Sequence, residues 1–203
     1  MTPSILYLHG LNSSPASLKA SLLLRAMQQL GLAAQLRVPA LHHHPRQAVA
    51  QLDALISELG RPVLVGSSLG GYYATYLAER HGLPALLINP AVRPHLRFEG
   101  YLGPQKNYYN DETWELTADH LAALAELDVA TLQDPARYQV WLQTADETLD
   151  YRDAQAYYLA SALRIQAGGD HGFQGFAERL PMLFAFAGIP RHLWQDIDFS
   201  ALN

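Results

Sequence analysis

A parallel α/β sheet of about six strands, with helices on both faces, is the architecture this sequence predicts. Three observations predict it. Short apolar runs alternate with longer amphipathic stretches along most of the chain, the rhythm of βαβ units. The strand-like runs are apolar at nearly every position, as strands covered on both faces must be. And the run Pro62-Val63-Leu64-Val65 passes through Gly66-Ser67-Ser68-Leu69-Gly70-Gly71 directly into a helical stretch, the kind of crossover start a parallel sheet requires.

Taken in order, the pattern predicts strands over 5–9, 34–38, 62–66, 85–89, 139–144 and 163–167. Helices are expected between and after them. Leu22, Leu23, Met27 and Leu30 give a helix over 17–30 its apolar face. Val49, Leu52, Leu55, Ile56 and Leu59 do the same over 45–59. Further helices are expected over 69–81, 151–158 and 176–186, and right-handed crossovers place them on the two faces of the sheet. The stretch 93–137 breaks the alternation. It is too long for an ordinary connection and contains Tyr101, Pro104, Asn107, Tyr108, Tyr109 and Asn110 before a helical piece near 118–127. It reads as a small lid-like insertion contributing substrate contacts, or else as a decorated crossover. The tail 188–203, with Trp194 and Phe199, is expected to pack back on the body. With no repeat and no internal boundary, residues 1–203 read as one domain.

Composition narrows the function classes. A net charge of −5 without any Lys/Arg block argues against nucleic acid or an anionic membrane as partner. The absence of cysteine excludes disulfides and thiol catalysis. No apolar run reaches the roughly 18 residues of a membrane span, and the first residues, Met1-Thr2-Pro3-Ser4, lack a basic leader pattern. A soluble, cytoplasmic protein is the expectation.

Gly66-Ser67-Ser68-Leu69-Gly70 is Gly-x-Ser-x-Gly in a strand–turn–helix setting, which makes it a candidate nucleophile elbow. The turn is tight enough that side chains two residues either side of the serine would collide, hence Gly66 and Gly70. Ser68 is then held at the tip, facing the N-terminus of the following helix, where a developing oxyanion is stabilised. A serine hydroxyl needs a base, and the base a carboxylate. In chain order these follow the serine. His171, in Gly168-Gly169-Asp170-His171-Gly172 after the last strand, is the candidate base, ahead of His81, His95, His120 and His192. Asp146, the first carboxylate beyond the strand 139–144, is the candidate acid. Asp150 is expected to cap the next helix, and Glu147 and Asp170 rank lower. The oxyanion donors are the backbone N–H groups of Leu69 and Leu11, with Gly10 allowing close approach. His9 reads as structural.

These residues resemble the α/β-hydrolase fold and, more narrowly, the small bacterial YqiA-type esterases. The resemblance is carried by Tyr7-Leu8-His9-Gly10-Leu11-Asn12-Ser13-Ser14-Pro15, the elbow through Ala74, Ile88-Asn89-Pro90-Ala91, Gln143 to Tyr151, and Gly169-Asp170-His171-Gly172-Phe173. It implies a carboxylesterase acting on short-chain esters or acyl-CoA thioesters, without cofactor. Leu11 stands where the family usually has Phe, a change expected to alter the pocket rather than the mechanism.

The reading is therefore a serine hydrolase forming an acyl-serine intermediate on a small-molecule ester. An acyl-CoA thioesterase is the nearest alternative, with Arg93, Arg97 and Lys106 as phosphate contacts. A non-catalytic binding protein on this fold is the alternative from another class. His42-His43-His44, between Pro39 and Pro45, reads as a solvated loop near the pocket mouth rather than a metal site, since consecutive residues cannot share one ion. Tyr72 and Tyr73 read as helix packing. The insertion's tyrosines and Trp114 form either an aromatic acyl-binding wall or the packing of the lid.

Overall fold

The computed structural model describes residues 3–202; Met1 and Thr2, whose sequence bears on the leader question, and Asn203 lie outside it. In chain order the elements are β1 (Ile5–Leu8), α1 (Leu18–Gln29), β2 (Leu36–Arg37), α2 (Pro45–Leu59), β3 (Val63–Ser67), α3 (Leu69–His81), β4 (Ala85–Ile88), β5 (Gly103–Lys106), β6 (Thr113–Leu116), α4 (Ala118–Ala125), β7 (Tyr138–Gln143), α5 (Tyr151–Tyr157), β8 (Ala162–Gln166) and α6 (Phe176–Phe186).

Six strands form one sheet in the order β2-β1-β3-β4-β7-β8, and every neighbouring pair in it is parallel. Alternate strand residues feed two cores. Leu6, Leu8, Leu64, Leu87 and Val140 pack beneath α2 and α3, while Ile5, Tyr7, Val65, Ile88 and Trp141 pack against α1 and α6. This double covering is why β1 and β4 are apolar throughout; the edge strand β8, expected to be buried, is instead largely exposed and carries Arg164 and Gln166.

Helix ends follow local chemistry. α2 starts on Pro45, whose missing N–H costs nothing in the first turn. α4 carries a capping box in which Thr117 and His120 serve one another. Asp150 caps α5 by accepting from the Arg152 N–H, as expected. The tail returns to the body: Phe199 is buried against Phe184, with ring centroids 5.4 Å apart, and Arg25 donates to the Leu202 carbonyl. None of the described helices is long and apolar enough to cross a membrane.

The structure departs from expectation in two places. β2 is only two residues long, because 33–35 are spent in a 3₁₀ turn. The insertion contains an antiparallel hairpin, β5–β6, that the sequence pattern does not announce. The insertion is anchored rather than free. Its hairpin docks on the loop after β1, and α4 docks on the start of α2, where Arg46 reaches both Asp119 and Glu126.

Candidate active site

The elbow forms where β3 meets α3. Ser68 has φ 54° and ψ −123°, a backbone state that costs a non-glycine residue about 1–3 kcal/mol. The surroundings hold it there. Its N–H donates to the Ile88 carbonyl, and its own carbonyl accepts from Gly71, Tyr72 and Ala91. Neighbouring backbones pass close enough that side chains are excluded. A Cβ on Gly66 would lie 2.4 Å from the Gly70 carbonyl oxygen, and one on Gly70 would lie 2.1 Å from that of Leu8.

The structure brings Ser68, His171 and Asp146 together from three separate segments. Ser68 Oγ lies 3.0 Å from His171 Nε2. His171 Nδ1 lies 3.0 and 2.9 Å from the two Asp146 oxygens. The Asp146 side chain is almost wholly buried, at 2% exposed against 23% for His171. The Asp146 Oδ1 also accepts from the Thr148 and Leu149 N–H groups, which fixes its direction. In this arrangement Nδ1–H donates to Asp146, and Nε2 is left to accept the serine proton. The other acids are occupied elsewhere. Asp150 caps α5, and the Asp170 carboxylate accepts from the Gln174 amide. Glu147, which sequence reasoning set aside, accepts from the His171 backbone N–H at 3.0 Å.

Leu69 opens α3, so its N–H has no intrahelical acceptor and points from the positive end of the helix. Leu11 N–H finds no acceptor among the described residues. Gly10, just before it, lies where a Cβ would come within 3.6 Å of Ser68 Oγ. His9 is buried and bridges two loops: Nδ1 donates to the Gly10 carbonyl and Nε2 accepts from Leu41 N–H. Burial holds it neutral, its pKa pushed below the usual histidine value despite the Gly10 hydrogen bond.

Three residues that sequence reasoning missed hold the His171 loop. Gln143, at the end of β7 and fully buried, accepts from the Asp170 and Gln174 N–H groups and donates to the Gln174 carbonyl. Asn89, buried at φ 40°, donates to the Asp170 carbonyl and accepts from Gln143 N–H. Lys19, on α1, donates to the Gly172 carbonyl at 2.8 Å. Burial pushes the Lys19 pKa down to about 8, with Asp170 and Asp146 pulling the other way. The one signal available was a glutamine in an otherwise apolar strand end, Val140-Trp141-Leu142-Gln143. Replacing Gln143 by leucine strands two buried N–H groups, so we expect about 3 kcal/mol of lost stability. The same change should lower kcat about 10- to 100-fold as His171 loses its register. Thermal melting and ester kinetics of Gln143→Leu check both effects, and unchanged values of either would count against the clamp.

The remaining candidates also find their places. The three consecutive imidazoles diverge: His43 pairs with Glu112, His44 pairs with Asp119, and His42 accepts from the His44 N–H. Among the described residues no cluster of three or more His, Cys, Asp or Glu is arranged to hold a metal. Trp114 stacks on His43 with centroids 4.7 Å apart and donates to Asn12 Oδ1, which is packing of the insertion. Tyr101, Tyr108 and Tyr109 are exposed and do not line the cleft beside Leu11 and Leu69. Tyr72 packs as expected and donates to the Leu124 carbonyl.

Solved structures share this fold at low identity. Alpha/beta hydrolase domain-containing protein 10 from mouse aligns with a TM-score of 0.66 at 14% identity, over 91% of this chain and 89% of its own. Est1E from Butyrivibrio proteoclasticus, solved with ferulic acid bound, gives 0.64 at 12%, over 91% and 86%. A monoacylglycerol lipase from Paleococcus ferrophilus gives 0.61 at 14%, over 92% and 96%. At such identities the likeness speaks for the fold, and the fold is that of the α/β hydrolases. The family model described as "Uncharacterised protein family (UPF0227)" matches residues 4–188, and with nearly the whole chain inside that match, the protein belongs to this family.

Proposed function

We propose that the protein is a serine carboxylesterase that hydrolyses short-chain acyl esters through an acyl-serine intermediate. The observation that carries the proposal is the continuous run Ser68 Oγ–His171 Nε2–Nδ1–Asp146, at hydrogen-bond distances, on a serine held in a strained backbone state. His171 takes the hydroxyl proton as Ser68 Oγ attacks the ester carbonyl. The carbonyl oxygen, now negative, is held by the Leu11 and Leu69 N–H groups. His171 passes its proton to the leaving alcohol, the C–O bond breaks, and the acyl group stays on Ser68. Water then enters, gives a proton to His171 and attacks the acyl carbon. Collapse of that second intermediate returns the proton to Ser68 and releases the acid. Asp146 holds the imidazole tautomer throughout.

Two observations favour a short acyl group and an uncharged leaving group. The cleft beside Leu11 and Leu69 has a volume of about 30 Å³, room for about two water-sized groups. The basic residues that could have met the CoA phosphates are each engaged by an acid: Arg93 by Asp128, Arg97 by Asp153, and Lys106 by Asp111. In this reading the insertion is a fixed wall of the site, and a cytoplasmic setting suits the cysteine-free chain. The test is a chain-length series of nitrophenyl esters and acyl-CoA thioesters, run beside fluorophosphonate labelling. We expect labelling at Ser68 and a maximum rate at two to four acyl carbons. Absence of both labelling and turnover would favour a binding protein on this fold, and a preference for acyl-CoA would favour the thioesterase.

A further inference from the structure

Tyr72 and Tyr73 stand side by side on the first turns of α3, and their hydroxyls are treated differently. Tyr72 Oη donates to the Leu124 carbonyl at 2.7 Å. The Tyr73 side chain is buried, only 2% exposed, yet its hydroxyl has no hydrogen-bond partner among the described residues. Its oxygen is not one of the sealed atoms that lack a partner, as Ser17 Oγ is. Tyr73 lines the small cleft that Leu11, Leu41, Leu69 and His43 also border. A buried phenol with an unmet donor costs about 1–3 kcal/mol unless something outside the protein completes it.

The position of the cleft says which part of a substrate reaches that hydroxyl. The leaving alcohol must sit against His171, which gives it a proton. The cleft is lined by the residues bearing the candidate oxyanion donors, Leu11 and Leu69, and not by His171. The acyl chain is therefore the part that enters. Leu11, Leu41 and Leu69 share the lining with polar residues, most of which are engaged within the protein: Asn107 with Ser13 and Tyr109, Asn12 with Gln105 and Trp114, His9 with Gly10 and Leu41, His43 with Glu112. Burial keeps the Tyr73 phenol protonated far above neutral pH, so it is a donor under ordinary conditions.

Resting on the esterase reading, we propose that Tyr73 is a specificity residue whose hydroxyl donates to an oxygen on the acyl chain, so that the preferred substrates are esters of short hydroxy- or oxo-acids rather than plain fatty acids. A site built around a polar group discriminates against the isostere that lacks its partner, and a methyl in that position leaves the Tyr73 hydroxyl stranded.

The experiment compares ethyl 3-hydroxypropanoate with its methyl isostere, ethyl butanoate, on wild type and Tyr73→Phe. Wild type should favour the hydroxy ester about 10-fold in kcat/KM. Tyr73→Phe should erase that preference, lowering kcat/KM for the hydroxy ester about 10-fold relative to ethyl butanoate. Its melting temperature should be unchanged or higher, since the lost oxygen has no protein partner, which separates a specificity effect from a folding one. Equal rates for the two esters in wild type, or equal losses on both in the variant, would overturn the inference and leave the esterase reading standing. Turnover of neither ester also overturns it, and fluorophosphonate labelling of Ser68 then shows whether the serine-hydrolase reading falls too.

Discussion

Ser68→Ala is expected to lower kcat for a nitrophenyl ester by about 10⁴-fold or more while the protein stays folded. The size follows from what the hydroxyl supplies. Without Oγ no acyl-enzyme forms, and the remaining machinery can only assist direct attack by water. Oxyanion donors and substrate positioning then account for whatever residual rate survives. The fold should be nearly indifferent, because Ser68 is held through its backbone N–H and carbonyl, which alanine retains. Among the described residues, the one side-chain hydrogen bond at stake is that to His171. Three measurements check this: steady-state kinetics, the mass shift on fluorophosphonate treatment, and the melting temperature. A variant that melted like wild type and still hydrolysed the ester would remove Ser68 from the mechanism.

Gly70→Ala is expected to have one of the largest effects on stability among glycine-to-alanine changes. The new Cβ would lie 2.1 Å from the Leu8 carbonyl oxygen and 2.6 Å from that of His9. Both are backbone atoms, so no rotamer change relieves the clash. Relief requires α3 to back away from β1, which breaks the contact between the elbow and the loop carrying Gly10 and Leu11. We expect more than about 4 kcal/mol of destabilisation, or failure to fold, which for a chain of this length means a fall in melting temperature of about 10 °C or more. Gly100→Ala is the control, because a Cβ there meets nothing within 4 Å. Thermal melts of the two variants decide the matter. Equal melting temperatures would show that the elbow yields where the geometry says it cannot.

How far the sequence could be read depended on which forces were local. The bounds of α2, α3 and α6 were readable because a proline, the elbow and a run of apolar spacing mark them on the chain itself. The central strands were readable because burial on both faces leaves few polar positions. The meeting of Ser68, Asp146 and His171 could be read because chain order and strand ends constrain it. The hairpin β5–β6 was hidden because its residues alternate between exposed and half-buried and include Pro104; it is held by tertiary contacts with Asn12 rather than by propensity. Gln143, Asn89 and Lys19 were hidden for a related reason. A single polar residue at a strand end or helix start does not say which backbone groups it will meet a hundred residues away. The difference between Tyr72 and Tyr73 likewise depends on where α4 lands.

Asn12 has a further consequence. It is buried, follows the candidate oxyanion residue Leu11, and is held by the insertion at three points: its amide donates to Gln105, its side-chain oxygen accepts from Trp114, and its carbonyl accepts from the Tyr108 N–H. The loop after β1 and the insertion are thus a single module, although about ninety residues separate them in the chain. Anyone exchanging insertions between relatives to change specificity would exchange the supports of an oxyanion donor as well. A graft that carried the hairpin without a matching residue at position 12 should lose rate before it changes preference, so the practical unit of redesign here is two distant segments moved together.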